Sequence, residues 1–282
     1  MYGGKMGNYL IGMDIGGTHV RTGLYSIESQ RIVEYNKIAF IKGGTAKEEV
    51  VANICEQIQR ILEQKQVSKD SLKGIGLSLA GNVNQYTGCV IRWPNHRMWE
   101  GFPIIKFISE YFHTPVIAED DGNCAAIGES MEQYSDADYK ENLIYCTIGT
   151  GIGCGIILNH RLHRGESGMA GELGHLSIPD VHKMCVCGKT NCLQSIITDK
   201  HMEERAGRHI ATILYQLAYI LDIPKVILGG GLIEYNQSLF QYIVSTFNQY
   251  KEDDHRKYTI QKSNLYDMNG ILGAIELLRD SQ

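Results

Sequence analysis

The run Asp14-Ile15-Gly16-Gly17-Thr18 decides the fold, together with a later echo, Thr147-Ile148-Gly149-Thr150-Gly151. The first follows the apolar stretch Tyr9 to Met13, and the second closes the apolar stretch Leu143 to Thr147. A returning apolar stretch comes next in each case, Val20 to Tyr25 and Ile156 to Leu158. This is the pattern of two strands bent around glycine. Arg31 to Phe40 adds a third strand, so the opening reads as a β-meander. The two glycine-hinged hairpins lie about 130 residues apart, which points to a duplicated architecture rather than a short-period repeat.

Backbone N–H groups converge on an anion most easily where no Cβ intervenes, and a Thr hydroxyl adds a donor. Taken singly, each loop is an ordinary hairpin turn. Neither is a Walker A or dinucleotide fingerprint, because neither opens a helix after the required glycine spacing. Two such loops plus Gly229-Gly230-Gly231, entered from the apolar run Val226 to Leu228, favour nucleotide phosphate binding.

Outward from the loops, Val50, Val51, Ile54, Ile58, Ile61 and Leu62 recur at helical spacing behind a capping box at Thr45 to Glu48. Gly74 to Leu79 reads as a buried strand ending at Ala80-Gly81-Asn82. Pro103 to Phe112 reads as a helix, and Pro115 to Ala118 as a strand that delivers Glu119-Asp120-Asp121. A small-residue helix is expected from near Gly122, and a last helix over Gly270 to Leu278. The fold class expected is α/β in two domains, residues 1–118 and 119–269, with residues 270–282 packing back on the first.

The chain has 282 residues, with 43% hydrophobic and 21% charged residues, which excludes wholesale disorder. Its formal charge of −5 argues against a broad nucleic-acid surface. No stretch approaches the roughly 20 apolar residues of a membrane span. The first residues, Met1 to Lys5, lack the apolar core of a signal peptide, so a cytoplasmic protein is expected.

Three of the eight cysteines fall within Cys185-Val186-Cys187-Gly188-Lys189-Thr190-Asn191-Cys192, and His175 lies ten residues earlier. His175, Cys185, Cys187 and Cys192 make a Cys₃His set suited to structural zinc. The alternative is a group of reduced or disulfide-bonded thiols, and disulfides are rare in a reducing compartment. The five scattered cysteines read as core.

In order along the chain, D-I-G-G-T, E-D-D-G-N, G-T-G-I-G-C-G, A-G-E-L-G-H, C-V-C-G-K-T-N-C and L-G-G-G resemble the ROK family (repressors, uncharacterised reading frames and kinases). That family lies within the actin-like ATPase and sugar-kinase superfamily. The resemblance implies two actin-like (ribonuclease H-like) domains with a cleft between them. It implies an ATP-dependent kinase acting on the 6-hydroxyl of a hexose or N-acylhexosamine: glucose, N-acetylmannosamine, N-acetylglucosamine or allose. It also strengthens the zinc reading, since ROK proteins carry zinc on a matching His and three Cys.

A hydroxyl attacking a γ-phosphate needs a carboxylate to take its proton. On sequence alone an acidic pair before a helix is more often an N-cap; the resemblance implies that Asp121 is the catalytic base. It also implies sugar contacts at Gly81, Asn95, Asp120, Glu172, His175 and Gln194. ATP phosphates and Mg²⁺ are expected at Asp14, Gly16, Gly17, Thr18, Gly149, Thr150, Gly151, Gly153, Gly229 and Gly230. Three departures stand out. Asp120 replaces the family's usual Asn, Gln194 its usual Glu, and only 36 residues separate Cys192 from Gly229. ROK repressors carry a helix-turn-helix domain before the first loop. Only 13 residues precede Asp14, so nucleic acid is not an expected partner. A catalytically degenerate sugar-binding protein or regulator is the alternative, and assembly as a homodimer is left open.

Overall fold

A computed structural model describes residues 8–39, 47–84, 86–93, 97–131, 141–179, 181–199, 201–251 and 257–280. The capping box at Thr45 and the candidate sugar contact Asn95 lie outside them. The described chain divides into two compact units. One takes the residues up to Gly128 together with those from Asp267 onward, and the other takes Glu129–Tyr266.

In the first unit β1 (Tyr9–Ile15), β2 (His19–Ser26) and β3 (Arg31–Ala39) form the meander. After α1 (Lys47–Gln64), β4 (Leu72–Leu79) pairs parallel to β1. A two-stranded ribbon follows, β5 (Asn82–Val83) with β6 (Val90–Arg92), then α2 (Ile104–Phe112), β7 (Val116–Asp120) and α3 (Asp121–Met131). The five-stranded sheet has the order β3-β2-β1-β4-β7.

In the second unit β8 (Leu143–Ile148) and β9 (Ile152–Leu158) form a hairpin extended by β10 (Arg161–Leu162). Then come α4 (Glu203–Leu221), β11 (Lys225–Gly229), α5 (Gly231–Tyr235), α6 (Gln237–Lys251) and β12 (Thr259–Lys262). This sheet has the order β10-β9-β8-β11-β12, again a meander edge followed by parallel strands. The duplication expected from the two glycine hinges is therefore present in the strand plan. α7 (Asn269–Asp280) returns to the first unit.

Strand alternation explains where each helix sits. Ile11, Met13 and Ile15 of β1 and Ile75, Leu77 and Leu79 of β4 join one core with α1, whose six periodic apolar residues are all buried. The opposite face of the same strands is a column of small residues. Leu278 of α7 lies beneath Gly74, Ala274 against Gly76, and Ile271 against Gly12. A Cβ on Gly12 would come within 2.6 Å of the Ile271 carbonyl oxygen. α7 therefore lies directly on backbone, and Leu10, Tyr25, Ile271, Ile275 and Leu278 fill the space around it.

The second unit builds its own core from β8, β9, β11, α4 and α6. Gly207 of α4 lets α6 approach closely; a Cβ there would meet the Tyr242 Cβ at 2.6 Å.

Candidate phosphate, sugar and metal sites

The parallel strands of the first unit end level: Ile15 pairs beside Leu79, and Leu79 beside Asp120. Their carboxyl ends thus carry three chemical features on one sheet edge. These are Asp14 with the turn Gly16–Thr18, then Ala80-Gly81, then Asp120-Asp121. Ligands of open α/β sheets bind outside such strand ends.

Asp14 follows Gly12 on the face that receives α7, and a Cβ on Gly270 would lie 3.1 Å from its Oδ1. Ser78, its register partner on β4, donates to Oδ1 at 3.1 Å. Arg21, its partner across the hairpin, donates to Oδ2 at 2.8 Å. The Arg21 guanidinium also reaches Asp267 at 2.8 Å, and Lys37 reaches the other oxygen of Asp267 at 2.6 Å. The result is a chain of alternating charge, Asp14–Arg21–Asp267–Lys37.

Burial pushes the Asp14 carboxyl above its ordinary range, against the opposing pull of Arg21 and Ser78. For Asp267 burial acts in the same upward direction, but hydrogen bonds from Lys37 and Arg21 outweigh it and hold the carboxyl low. Arg21, Ser78 and Asp267 were not expected as site residues. The hairpin register contained a signal for Arg21, since four residues between the paired Ile15 and Val20 set position 14 opposite 21; Asp267 had none.

The turn itself is open. Gly16 N–H donates to the His19 carbonyl at 3.0 Å, and a Cβ on Gly16 would meet nothing closer than 3.5 Å. Thr18 is exposed at its tip.

At the end of β7 the two aspartates separate in role. Asp120 caps α3, its Oδ1 accepting from Gly122 N–H at 3.0 Å and Asn123 N–H at 3.4 Å. Asp121 is the first helical residue and is partly buried. The buried Glu119 braces this start, its Oε1 accepting from Asp120 N–H and from the Asn123 side chain, each at 3.1 Å. Gly81 is buried against Arg92 and Trp93, where a Cβ would lie 2.5 Å from the Arg92 carbonyl oxygen.

In the second unit the turn Gly149–Gly151 meets the glycine run after β11. Gly230 takes φ +92° and sits against the end of β8. A Cβ there would lie 2.5 Å from the Ile148 carbonyl oxygen and 2.7 Å from the Thr147 hydroxyl. Gly149 is near Gly231, a Cβ on it coming 3.7 Å from the Gly231 nitrogen. Gly229 lies against the Tyr145 hydroxyl. The return strand begins at Ile152, earlier than the apolar pattern implied. Gly153 is therefore a strand residue opposite Thr147, not part of the turn.

His175 and the three cysteines come together as expected. One ligand atom from each lies within 4.8 Å of all the others. Cys185 Sγ is 3.6 Å from His175 Nδ1, and Cys187 Sγ is 3.4 Å from Cys192 Sγ. A tetrahedral ion with bonds of about 2.3 Å to sulfur and about 2.0 Å to nitrogen needs edges close to these. Among the crowded thiols, burial and then hydrogen bonds and repulsion from Cys187 and Cys185 push Cys192 up to about 12. A cation is what would favour its thiolate, so loading releases protons. On the other side of the ring, His175 Nε2 lies 3.6 Å from Glu172 Oε2. Gln194 turns its amide to Cys185 Sγ at 3.1 Å and to Ile152 N–H at 3.5 Å.

Two sheets of one plan, each with a glycine turn after its first strand, define an actin-like ATPase fold. The chain belongs to the ROK family, which matches residues 10–208 and 200–281. It is 26% identical over 288 residues to a glucokinase of Halalkalibacterium halodurans, covering 86% of each chain. It is 28% identical over 191 residues to a xylose repressor of Caldicellulosiruptor bescii, covering 68% of this chain and 47% of that one. Among solved structures, a ROK glucokinase from Streptomyces griseus in complex with glucose and AMPPNP superposes with a TM-score of 0.78. The two are 24% identical, and the match covers 97% of this chain and all of the other. Among the described residues no helix is long and apolar enough to cross a membrane.

Proposed function

We infer that the protein is an ATP-dependent sugar kinase that phosphorylates the 6-hydroxyl of a hexose or N-acylhexosamine. The observation that carries this reading is the level sheet edge of the first unit. There Asp121, the residue after the helix cap Asp120, stands in the same row of strand ends as Asp14 and the open turn Gly16–Thr18. Asp121 acts as the base that takes the hydroxyl proton as the γ-phosphate is attacked. Each unit offers backbone N–H groups to phosphate, the first at the turn 16–18 and the second at the turn 149–151 with the glycine run 229–231. Asp14 keeps lone pairs beyond those used by Ser78 and Arg21, enough to accept a hydrogen bond from a water on Mg²⁺. When bound, Mg²⁺ neutralises phosphoryl charge.

Glu172 and His175 serve the sugar. Zinc held by His175, Cys185, Cys187 and Cys192 fixes the imidazole, leaving Nε2 toward Glu172. The glucokinase relative makes glucose the first sugar to test, and a cysteine metal centre suits a reducing compartment such as the cytoplasm.

A second reading, a sugar-responsive regulator that no longer transfers phosphate, rests on the similarity to xylose repressors. One experiment separates the two. A panel of glucose, N-acetylglucosamine, N-acetylmannosamine and allose is assayed for ATP consumption, with Asp121→Asn alongside. The kinase reading expects turnover on at least one sugar and a fall in kcat of about 10²–10⁴-fold in the variant. Sugar binding without ATP consumption supports the regulator instead.

A further inference from the structure

Gln194 is the second residue of the 3₁₀ segment Leu193–Thr198, two residues after the last cysteine of the metal set. Its side-chain amide has two ends and two different partners. The Nε2 group, which can only donate, lies 3.1 Å from Cys185 Sγ. The Oε1 atom, which can only accept, takes the Ile152 backbone N–H at 3.5 Å. That N–H belongs to the residue that closes the turn Gly149–Gly151. The same Oε1 would lie 3.2 Å from a Cβ on Gly151 and 3.2 Å from a Cβ on Gly174, the residue before His175. A side chain at either position would crowd the amide oxygen by a few tenths of an ångström.

We propose that Gln194 is a positioning residue that couples the Cys₃His metal centre to the phosphate turn, so that metal loading raises nucleotide affinity. The coupling rests on the nucleotide reading of that turn given above. Its physical basis is a sulfur that the ion would hold in place: a metal bonded to Cys185 fixes the acceptor that Gln194 Nε2 meets at 3.1 Å. Loading therefore pins Nε2 at Cys185 and, through the rigid amide plane, pins Oε1 at Ile152. The turn is then held before the nucleotide arrives, and the ordering cost is removed from binding.

Glutamate, the family's usual residue here, cannot make this link. It has no donor for sulfur and would set a carboxylate against a thiolate. The coupling is thus a consequence of the amide at this position in this chain.

Linkage makes the proposal measurable from both ends, because nucleotide must raise metal affinity by the same factor by which metal raises nucleotide affinity. The full chain is loaded with zinc, and its zinc affinity is measured by competition with a chromogenic chelator, with and without saturating ADP. Wild type, Gln194→Met and Gln194→Glu are compared, and ADP binding to each loaded protein is followed by calorimetry. The expected result is zinc held about 5–20-fold more tightly with ADP in wild type. The factor falls to within about 2-fold of unity in both variants, and their ADP affinity drops by a comparable amount. Cobalt-loaded wild type and Gln194→Met should also differ in the thiolate-to-metal absorption band, because one thiolate loses its hydrogen bond.

A role confined to folding would lower stability yet leave the ADP dependence of zinc affinity intact. An unchanged ADP factor in Gln194→Met overturns the proposal. ADP binding by wild type without any effect on zinc affinity overturns the coupling alone. A wild type that binds no ADP removes the nucleotide reading and the coupling together.

Discussion

Replacing Arg21 with Met should weaken the first unit far more than replacing Lys37 with Met, although both belong to one chain of charges. The structure supplies the difference. Arg21 bonds Asp14 and Asp267 at 2.8 Å each, and its side chain and that of Asp14 are only 18% and 17% exposed. Lys37 meets Asp267 where the two are 37% and 40% exposed. Breaking a fully buried pair costs about 3–5 kcal/mol, and an exposed pair about 0–1 kcal/mol. Arg21→Met therefore falls at roughly 2–3 kcal/mol and Lys37→Met below about 1 kcal/mol.

The assay is urea unfolding read by tryptophan fluorescence. The protein has two tryptophans, Trp93 and Trp99, and both are buried in the first unit, so the signal reports that unit. With a slope of about 2–3 kcal/mol/M, Arg21→Met shifts the midpoint down by about 1 M. The loss also has a pH signature. The Asp14 carboxyl is raised by burial, so its ionisation works against the fold as pH climbs above the ordinary range near 3.9. Arg21 offsets that penalty. Without it the penalty grows at neutral pH and disappears once Asp14 is protonated. Asp267, held low by Lys37 and Arg21, contributes stability above that range and loses it in acid, so its part of the deficit shrinks with falling pH as well. The deficit of Arg21→Met should therefore be larger at pH 7.5 than at pH 4.5. Equal losses from the two variants, or a deficit independent of pH, would refute the argument.

Metal analysis of the purified protein should return about one zinc per chain, and Cys187→Ala should lose most of it; folded protein that never holds metal would discard the Cys₃His centre. Gly12→Val should be severely destabilising, at least about 3 kcal/mol, because its side chain would enter the Ile271 backbone of α7. A stable, soluble Gly12→Val would show that α7 does not rest on β1. Asp120→Asn should leave the urea midpoint within about 0.2 M, since Asn caps a helix nearly as well as Asp. A changed sugar profile in that variant then reports recognition, and an unchanged profile assigns Asp120 to the cap alone.

Much of this architecture was legible because apolar periodicity and glycine punctuation act locally. The meander, the six buried positions of α1 and the helix ending at Phe112 follow from short-range patterns. The start of β9 did not, because Gly153 and Gly155 interrupt its apolar run while still pairing with Thr147 and Tyr145. In α4, four of the six buried positions are small (Ala206, Gly207, Ala211 and Ala218, against Ile210 and Leu214), which flattens the helical signal.

Among site residues, motif order picked out the metal set that the fold assembles. It assigned Asp120 and Asp121 different roles but did not show that Asp120 caps α3, which the hydrogen bonds from Gly122 and Asn123 reveal. Nor could it pair Arg21 with Asp267, residues brought together by a helix more than two hundred positions downstream.

That return of α7 has a consequence for how the chain is made. The second unit is one continuous run of sequence and can close as soon as residue 266 is available. The first unit is built from the two ends. Its strands are synthesised early, yet the glycine column of β1 and β4 stays bare until α7 arrives. On the ribosome the N-terminal sheet must wait with one apolar face uncovered while the later half folds ahead of it. Synthesis order and folding order are thus inverted, and a nascent chain stalled before Asn269 would carry a finished second unit attached to an unfinished first.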